Sequence, residues 1–381
     1  MKKIAIGVTL ALSVVGCSKK KPQENKEPPA PVEPTPAGTG SAGGSAVAVA
    51  EKPLVGKDLA DKYMKCSNAI MSDIEAFKKD CVAPEYKAHE MDEGDYSGFD
   101  ALAGMFASMK KAFPDFKNSP QLVLINGRNI LAVNLSQGTN SGPLAMPGMP
   151  EMPASNKKVG TLFFHRLLID DTNKAIEEWA YEDPTTFMGQ IGALPPKAPA
   201  ARPAIEKGWD GAPIVVVAAD DDKEKKNLEV VKNLDDAFNT HKPDAMLPLM
   251  SDDFVESDQA DAADHTGKKE AEAGLKKFMA AFPDAKVTAD NRFAAGDYVV
   301  ELGTFEGTNT GDMGPIKKTG KKVTMHYAEI SKLKDGKVTN LWRFRNGMAM
   351  AMQLGLMQMP GGAGAGSAAA GSAAGSAAPK K

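Results

Sequence analysis

AFPDFKNSPQLVLINGRNILAVNLSQGTNSG at residues 112–142 and AFPDAKVTADNRFAAGDYVVELGTFEGTNTG at 281–311 are two copies of one segment. Ala112 pairs with Ala281 and Gly142 with Gly311, both at an offset of 169. The same offset carries Gly98 onto Gly267, Leu59 onto Leu228 and VAVAE at 47–51 onto VVAAD at 216–220. Downstream it falls to 163, pairing Trp179 with Trp342 and Gln190-Ile191-Gly192 with Gln353-Leu354-Gly355. The first copy therefore carries six extra residues, which we assign to PLAMPGMPEMPASN. A period this long, met twice, is a duplicated domain and not a solenoid of short units.

Each copy has one coarse pattern. In the second, Leu228, Val231, Leu234 and Phe238 recur at helical spacing. A short helix around Ala245–Met250 and the strand DFVES follow. Gly267 precedes a helix over 268–281, which ends at the proline of AFPD. Three long strands are predicted next: 298–308, 322–333 and 337–345, the last two joined by a Lys-Asp-Gly-Lys turn. Helices first and strands after predict an α+β class: two tandem cone-shaped domains, each with three helices packed in a curved antiparallel sheet. The domains are set at 47–196 and 216–359, with a Pro/Ala-rich linker at 197–215.

The ends read as processing and tethering segments. Lys2 and Lys3 precede an apolar run from Ile4 to Val15, too short to span a bilayer. Val14-Val15-Gly16-Cys17 resembles the bacterial lipobox. That resemblance implies a signal peptide at 1–16, a diacylglycerol on Cys17 and a cell-envelope location. Ser18 after the cysteine points to the outer membrane. Residues 17–46 are a polar tether and 360–381 a low-complexity tail. Cys66 and Cys81 remain, an even pair in an oxidising compartment, read as a disulfide or as two buried thiols. A net charge of −3 and a pI near 6.0 provide no basic field for nucleic acid.

The ordered set Asp252-Asp253-Phe254, Gly267, Phe282-Pro283-Asp284, Gly296-Asp297, Gly307-Thr308-Asn309-Thr310-Gly311, Asp335-Gly336-Lys337, Trp342 and Gln353-Leu354-Gly355 resembles the SnoaL-like polyketide cyclase or ester cyclase group, which has the nuclear-transport-factor-type fold. The first copy keeps AFPD, TNSG, Trp179 and QIG but lacks the D-D-F and D-G-K signals. The resemblance implies a cone with a largely apolar cavity. It also implies, in the enzymes of the group, a pocket Asp, often with a His, acting as acid and base in an aldol closure. Fold alone does not establish chemistry.

Trp179, Tyr181 and Asp183 share one face at period 2, and Asp183 resembles the carboxyl that closes the family's last strand. Asp183 is read two ways: as a pocket acid, or as the cap of a helix opening at Pro184. The second copy has Asn346 there, which exchanges no proton. His165 lies in one strand and His326 in its counterpart, two residues earlier by alignment, so the same face is expected. The candidate catalytic pair is Asp183 with His165. The candidate ligand contacts are Trp179, Tyr181, His326, Trp342 and Asn346. Met348, Met350 and Met352 are read as a plug at a cavity mouth in preference to a soft-metal site. No dinucleotide or phosphate-loop motif occurs, and no cofactor or metal is expected. The favoured reading is a pair of domains that bind small hydrophobic ligands or partners without turnover. The alternatives are a cyclase or isomerase, and an envelope protein whose two domains pair through their sheets.

Overall fold

The computed structural model describes residues 52–146, 150–194, 200–314 and 316–357. Cys17, the tether, the tail and Met149 lie outside the described residues. The first copy runs α1 (Gly56–Ser72), α2 (Ile74–Asp80), β1 (Val82–Glu90), β2 (Gly94–Ser97), α3 (Asp100–Ala112), β3 (Lys117–Asn126), β4 (Asn129–Thr139), β5 (Lys158–Ile169), β6 (Ala175–Tyr181) and α4 (Pro184–Ile191). After β7 (Ile214–Val217), the second runs α5 (Asp222–Phe238), α6 (Pro243–Met246), β8 (Met250–Asp258), β9 (His265–Thr266), α7 (Lys268–Ala281), β10 (Lys286–Ala295), β11 (Tyr298–Thr308), β12 (Lys322–Lys334), β13 (Lys337–Arg345) and α8 (Gly347–Leu354).

Each copy is α+β, but its sheet is mixed and not wholly antiparallel. The strand orders are β2-β1-β6-β5-β4-β3-β7 and β10-β11-β12-β13-β8-β9. The pairs β1–β6, β8–β13 and β3–β7 run parallel. Each copy also has one long strand more than expected, β3 and its counterpart β10. KVTADNRFAA carries polar residues on both sides, so alternation does not mark it. Strand β7 spans the boundary set at 216 and joins the first sheet, placing Val216 beside Leu124. The preceding residues are pinned there too: the Ile205 amide donates to the Gly160 carbonyl and the Trp209 amide to Gln121 Oε1.

The repeated segment is conserved between the copies because it ties a helix end to a strand end. Asp115 accepts from the Thr139 amide, and Asp284 from the Thr308 amide. Asn140 and Asn309 each donate to the carbonyl two residues on. A Cβ on Gly142 would meet the Lys111 carbonyl oxygen at 2.2 Å, and one on Gly311 the Ala280 oxygen at 2.1 Å. Neither position takes a side chain.

The runs LVLI and ILAV in β3 and β4 are apolar without alternation because both faces are covered. Val123, Ile125, Ile130 and Ala132 pack with Leu59, Tyr63 and Leu102 of α1 and α3. Leu122, Leu124, Leu131 and Val133 join Leu162, Phe164 and Tyr181 in a cluster that also holds Tyr298, Val300, Leu302, Ile330 and Phe344 of the second sheet. One apolar layer thus draws on the convex faces of both sheets, with Phe164 and Phe344 5.9 Å apart between ring centres. The concave faces hold the helices.

Cys66 in α1 is bonded to Cys81 at the end of α2, with the Cα atoms 5.8 Å apart. The bridge closes 15 residues, a loop for which chain-entropy arguments give about 3 kcal/mol.

Candidate functional site

Strand pairing fixes which residues correspond between the copies. His165 faces Ala132 and Glu329 faces Glu301, so 329 − 165 = 164. Trp179 faces Arg166 and Trp342 faces Ile330, which restores 342 − 179 = 163. Five of the six extra residues therefore lie between β4 and β5, and the sixth lies in the β5–β6 turn. That single residue turns a strand over. The counterpart of His165 is Glu329, and His326 stands at the place of Leu162, on the convex face.

A cavity of about 500 Å³ lies inside the first copy, between its helices and the concave face of its sheet. Phe99, Phe106 and Phe163 are among its apolar lining. Its polar wall is a relay. His165 Nδ1 is 2.7 Å from Glu178 Oε1, and the Tyr86 hydroxyl donates to Glu178 Oε2. On the other side of the ring, Nε2 is 2.7 Å from the Tyr63 hydroxyl and 3.2 Å from Asn134 Nδ2. The Tyr63 hydroxyl also reaches Asn134 Oδ1 at 2.9 Å. Two proton arrangements each satisfy two of the three contacts among His165 Nε2, Tyr63 and Asn134. A bare Nε2 accepts from Tyr63 and the Asn134 amide. A protonated Nε2 donates to Tyr63, whose own proton then goes to Asn134. Burial alone would raise the Glu178 carboxyl, but the hydrogen bond and charge of His165 outweigh it and hold Glu178 below its ordinary range. Burial raises both tyrosines, so both stay protonated.

Farther along β1 and β6 the same face carries Glu90 and Glu182, with Glu93 beside them, all lining the cavity. No Lys or Arg is salt-bridged to these three among the described residues. Burial, then the charges of Glu93 and Asp183, push Glu182 up to about 7. Burial and the neighbouring carboxylates raise Glu90 well above its usual value. Glu182 faces open cavity space beside Glu93 and Asp183, whose charges oppose its ionisation.

Asp183 does not join His165. It caps α4, accepting from the Thr185 and Thr186 amides, and also from the Gly347 amide at 2.9 Å. Asn346 caps α8 in the same way. The difference between Asp183 and Asn346 is therefore a difference between two caps. Trp179, Tyr181 and Trp342 do share faces as period 2 requires, but these are the convex faces. Trp179 stacks on His89 and lies under the Arg166 guanidinium at 4.3 Å. Trp342 packs on Trp209 at 4.9 Å, and Tyr181 on Phe164. His326 Nδ1 meets Asp92 of the first copy at 2.7 Å. The missed acid is Glu178. Its signal is the strand register, which pairs His165 with Ala180 and Leu167 with Glu178 and so makes residues 165 and 178 diagonal neighbours on the face opposite Trp179.

The second copy fills the corresponding face with ions. Arg292 bonds Asp235 and Glu301, and the Tyr327 hydroxyl donates to Glu301 at 2.7 Å. Arg343 bonds Glu329 at 2.6 Å and also Glu256, while Arg345 bonds Asp258 at 2.7 Å. Gly303 stands where the first copy has Asn134, and the Tyr327 hydroxyl lies 2.6 Å from where a Gly303 Cβ would be.

The SnoaL-like polyketide cyclase family matches residues 58–191 and again 228–354, more than half of the chain. The chain belongs to that family, twice over. Among solved structures, a candidate SnoaL-like polyketide cyclase from Jannaschia sp. CCS1 is 22% identical, covering 40% of this chain and 100% of that one, with a TM-score of 0.33. TsrD from Streptomyces laurentii is 19% identical over 35% of this chain and 97% of its own, with a TM-score of 0.32. A Catenulispora acidiphila protein with a ketosteroid isomerase-like fold, solved with trimethylamine, is 20% identical over 33% and 92%, with a TM-score of 0.30. No curated protein matches the chain. The two SnoaL-like domains thus share a fold and differ in what occupies the concave face.

Proposed function

We propose that the first SnoaL-like domain binds a small, mostly apolar ligand in its cavity, and that the second serves as its built-in partner. One observation carries the reading. The first domain encloses about 500 Å³, within the range of small-molecule sites, whereas Arg292 and Arg343 ion pairs cross the matching face of the second. The expectation that both domains bind ligand is narrowed accordingly. Glu90, Glu93 and Glu182 line the cavity with carboxyl groups that no Lys or Arg salt-bridges among the described residues, which suits a neutral or cationic ligand.

The test is titration of the full chain with the neutral fluorophore N-phenyl-1-naphthylamine, read by the probe's own emission. One site per chain is expected. Met105→Trp, which puts a larger side chain into the cavity lining, should abolish it. Two sites per chain, or binding untouched by Met105→Trp, would sink the proposal.

A second reading is favoured by one feature. An imidazole and a carboxylate converge in the cavity, as a cyclase or isomerase working by acid–base transfer without a cofactor needs. On that reading His165 exchanges the proton, Glu178 positions the ring, and His165→Gln keeps the bound probe while losing turnover.

We also propose that the lipobox-like segment places the chain in the bacterial cell envelope, on the outer membrane, through lipid on Cys17. Cys17→Ser should move the protein from the membrane fraction to the soluble one, and full retention with membranes would exclude this anchor.

A further inference from the structure

Helix α8 belongs to the second domain by sequence but is shared in space. Its side chains divide by helical spacing. Met350 and Leu354 are buried in the second domain's own core with Phe282 and Phe305. Met348 and Met352, also four residues apart, line the cavity of the first domain together with Asn346. Met348 packs there against the cluster of Phe113 and Met188. The start of the helix is held to the first domain by two bonds: the Gly347 amide donates to Asp183 Oδ1 at 2.9 Å, and Asn346 Nδ2 donates to Glu93 at 3.2 Å. A Cβ on Gly347 would stand 3.0 Å from Asp183 Oδ1, so the helix approaches as closely as a glycine allows.

The loan runs one way. At the offset of 163, the residues of α4 that match Met348 and Met352 are Thr185 and Gly189. Both are short, and a Cβ on Gly189 would lie 2.1 Å from the Ala201 Cβ. The concave face they would have to reach is crossed by the Arg343 and Arg345 ion pairs. The two domains are pseudo-symmetric in backbone and unequal in what they give each other.

We propose that α8 sets the length of ligand the first domain accepts, with Met348 and Met352 as the residues that determine it. The inference rests on the ligand-binding reading above. The ligand is a neutral or cationic molecule with an extended apolar part, which reaches from the His165 relay toward α8. Unbranched thioether side chains suit such an end wall, because they repack around differing shapes until the space runs out.

The experiment uses the full chain and primary alcohols of rising chain length, which displace N-phenyl-1-naphthylamine. Wild-type affinity should rise with length to an optimum and then fall. Met348→Ala with Met352→Ala should move the optimum to longer alcohols by two or more carbons, and Met348→Phe should shorten it. Met352→Trp, at a position 38% exposed and so tolerant of substitution, should also shorten it; this keeps the test alive where the Met348 variants do not fold. An optimum that stays in place in every folded variant overturns the inference and leaves the binding reading standing. Alcohols that fail to displace the probe from the wild type overturn both.

Discussion

Arg343→Met is expected to destabilise the full chain by about 1–3 kcal/mol, between a solvated surface pair and a fully buried one, because its side chain is 29% exposed. Arg343 bonds Glu329 at 2.6 Å and also Glu256, and approaches Asp258 at 3.6 Å. Without the guanidinium, Glu329 and Glu256 lose their ion-pair partner, and Asp258 keeps only Arg345. Burial already raises Glu329; the Arg343 guanidinium pulls it down, while Glu301 and Glu256 push it further up. Loss of the cation would raise the carboxyls further. The sign of the pH dependence follows. A carboxyl whose folded pKa is raised opposes folding once the pH exceeds its unfolded value, and this opposition vanishes where it is protonated in both states. The penalty of Arg343→Met should therefore shrink on acidification, and Glu329→Gln added to it should recover part of the loss at neutral pH. Denaturant midpoints of the variants read both effects. A loss under about 1 kcal/mol would mean that the network behaves as a solvated surface.

Phe344→Ala should cost about 3–5 kcal/mol, as truncation of a fully buried phenylalanine does. Phe344 is 0% exposed, in the layer that draws on both sheets, beside Phe164. Phe164→Ala should cost a similar amount. The double variant should lose less than the sum, because the two rings touch and the second truncation removes a contact already gone. Chemical denaturation of the three variants supplies the cycle. Strict additivity would show that the two rings stabilise their own sheets separately.

Much of this fold is legible in the chain. Lys268–Ala281 starts and ends where Gly267 and Phe282-Pro283 punctuate the sequence. Asp335-Gly336 turns β12 into β13, and both residues have positive φ. Mistaken face assignments came from rules that lack the needed information. Period 2 divides AIEEWAY into two sets, Glu178 with Ala180 and Trp179 with Tyr181. It does not say which set faces the cavity when both faces are covered. The aromatic set went to the layer between the sheets, so the carboxylate set faced inward, against ordinary expectation. The placement of His326 failed for a smaller cause. One residue in the β5–β6 turn inverts the strand, and no count of identical residues in a single pair of copies detects it. Strand β7 was hidden because its partner β3 lies about 90 residues earlier in the chain.

The placement of Asn346, Met348 and Met352 on the first domain's cavity has a consequence for dilution. A cavity completed by a separate subunit would lose its end wall as concentration fell below the dissociation constant. Here the wall is on the same chain, and its effective concentration, of millimolar order for short linkers, does not depend on how many molecules are present. A single copy of this chain carries a whole cavity with it.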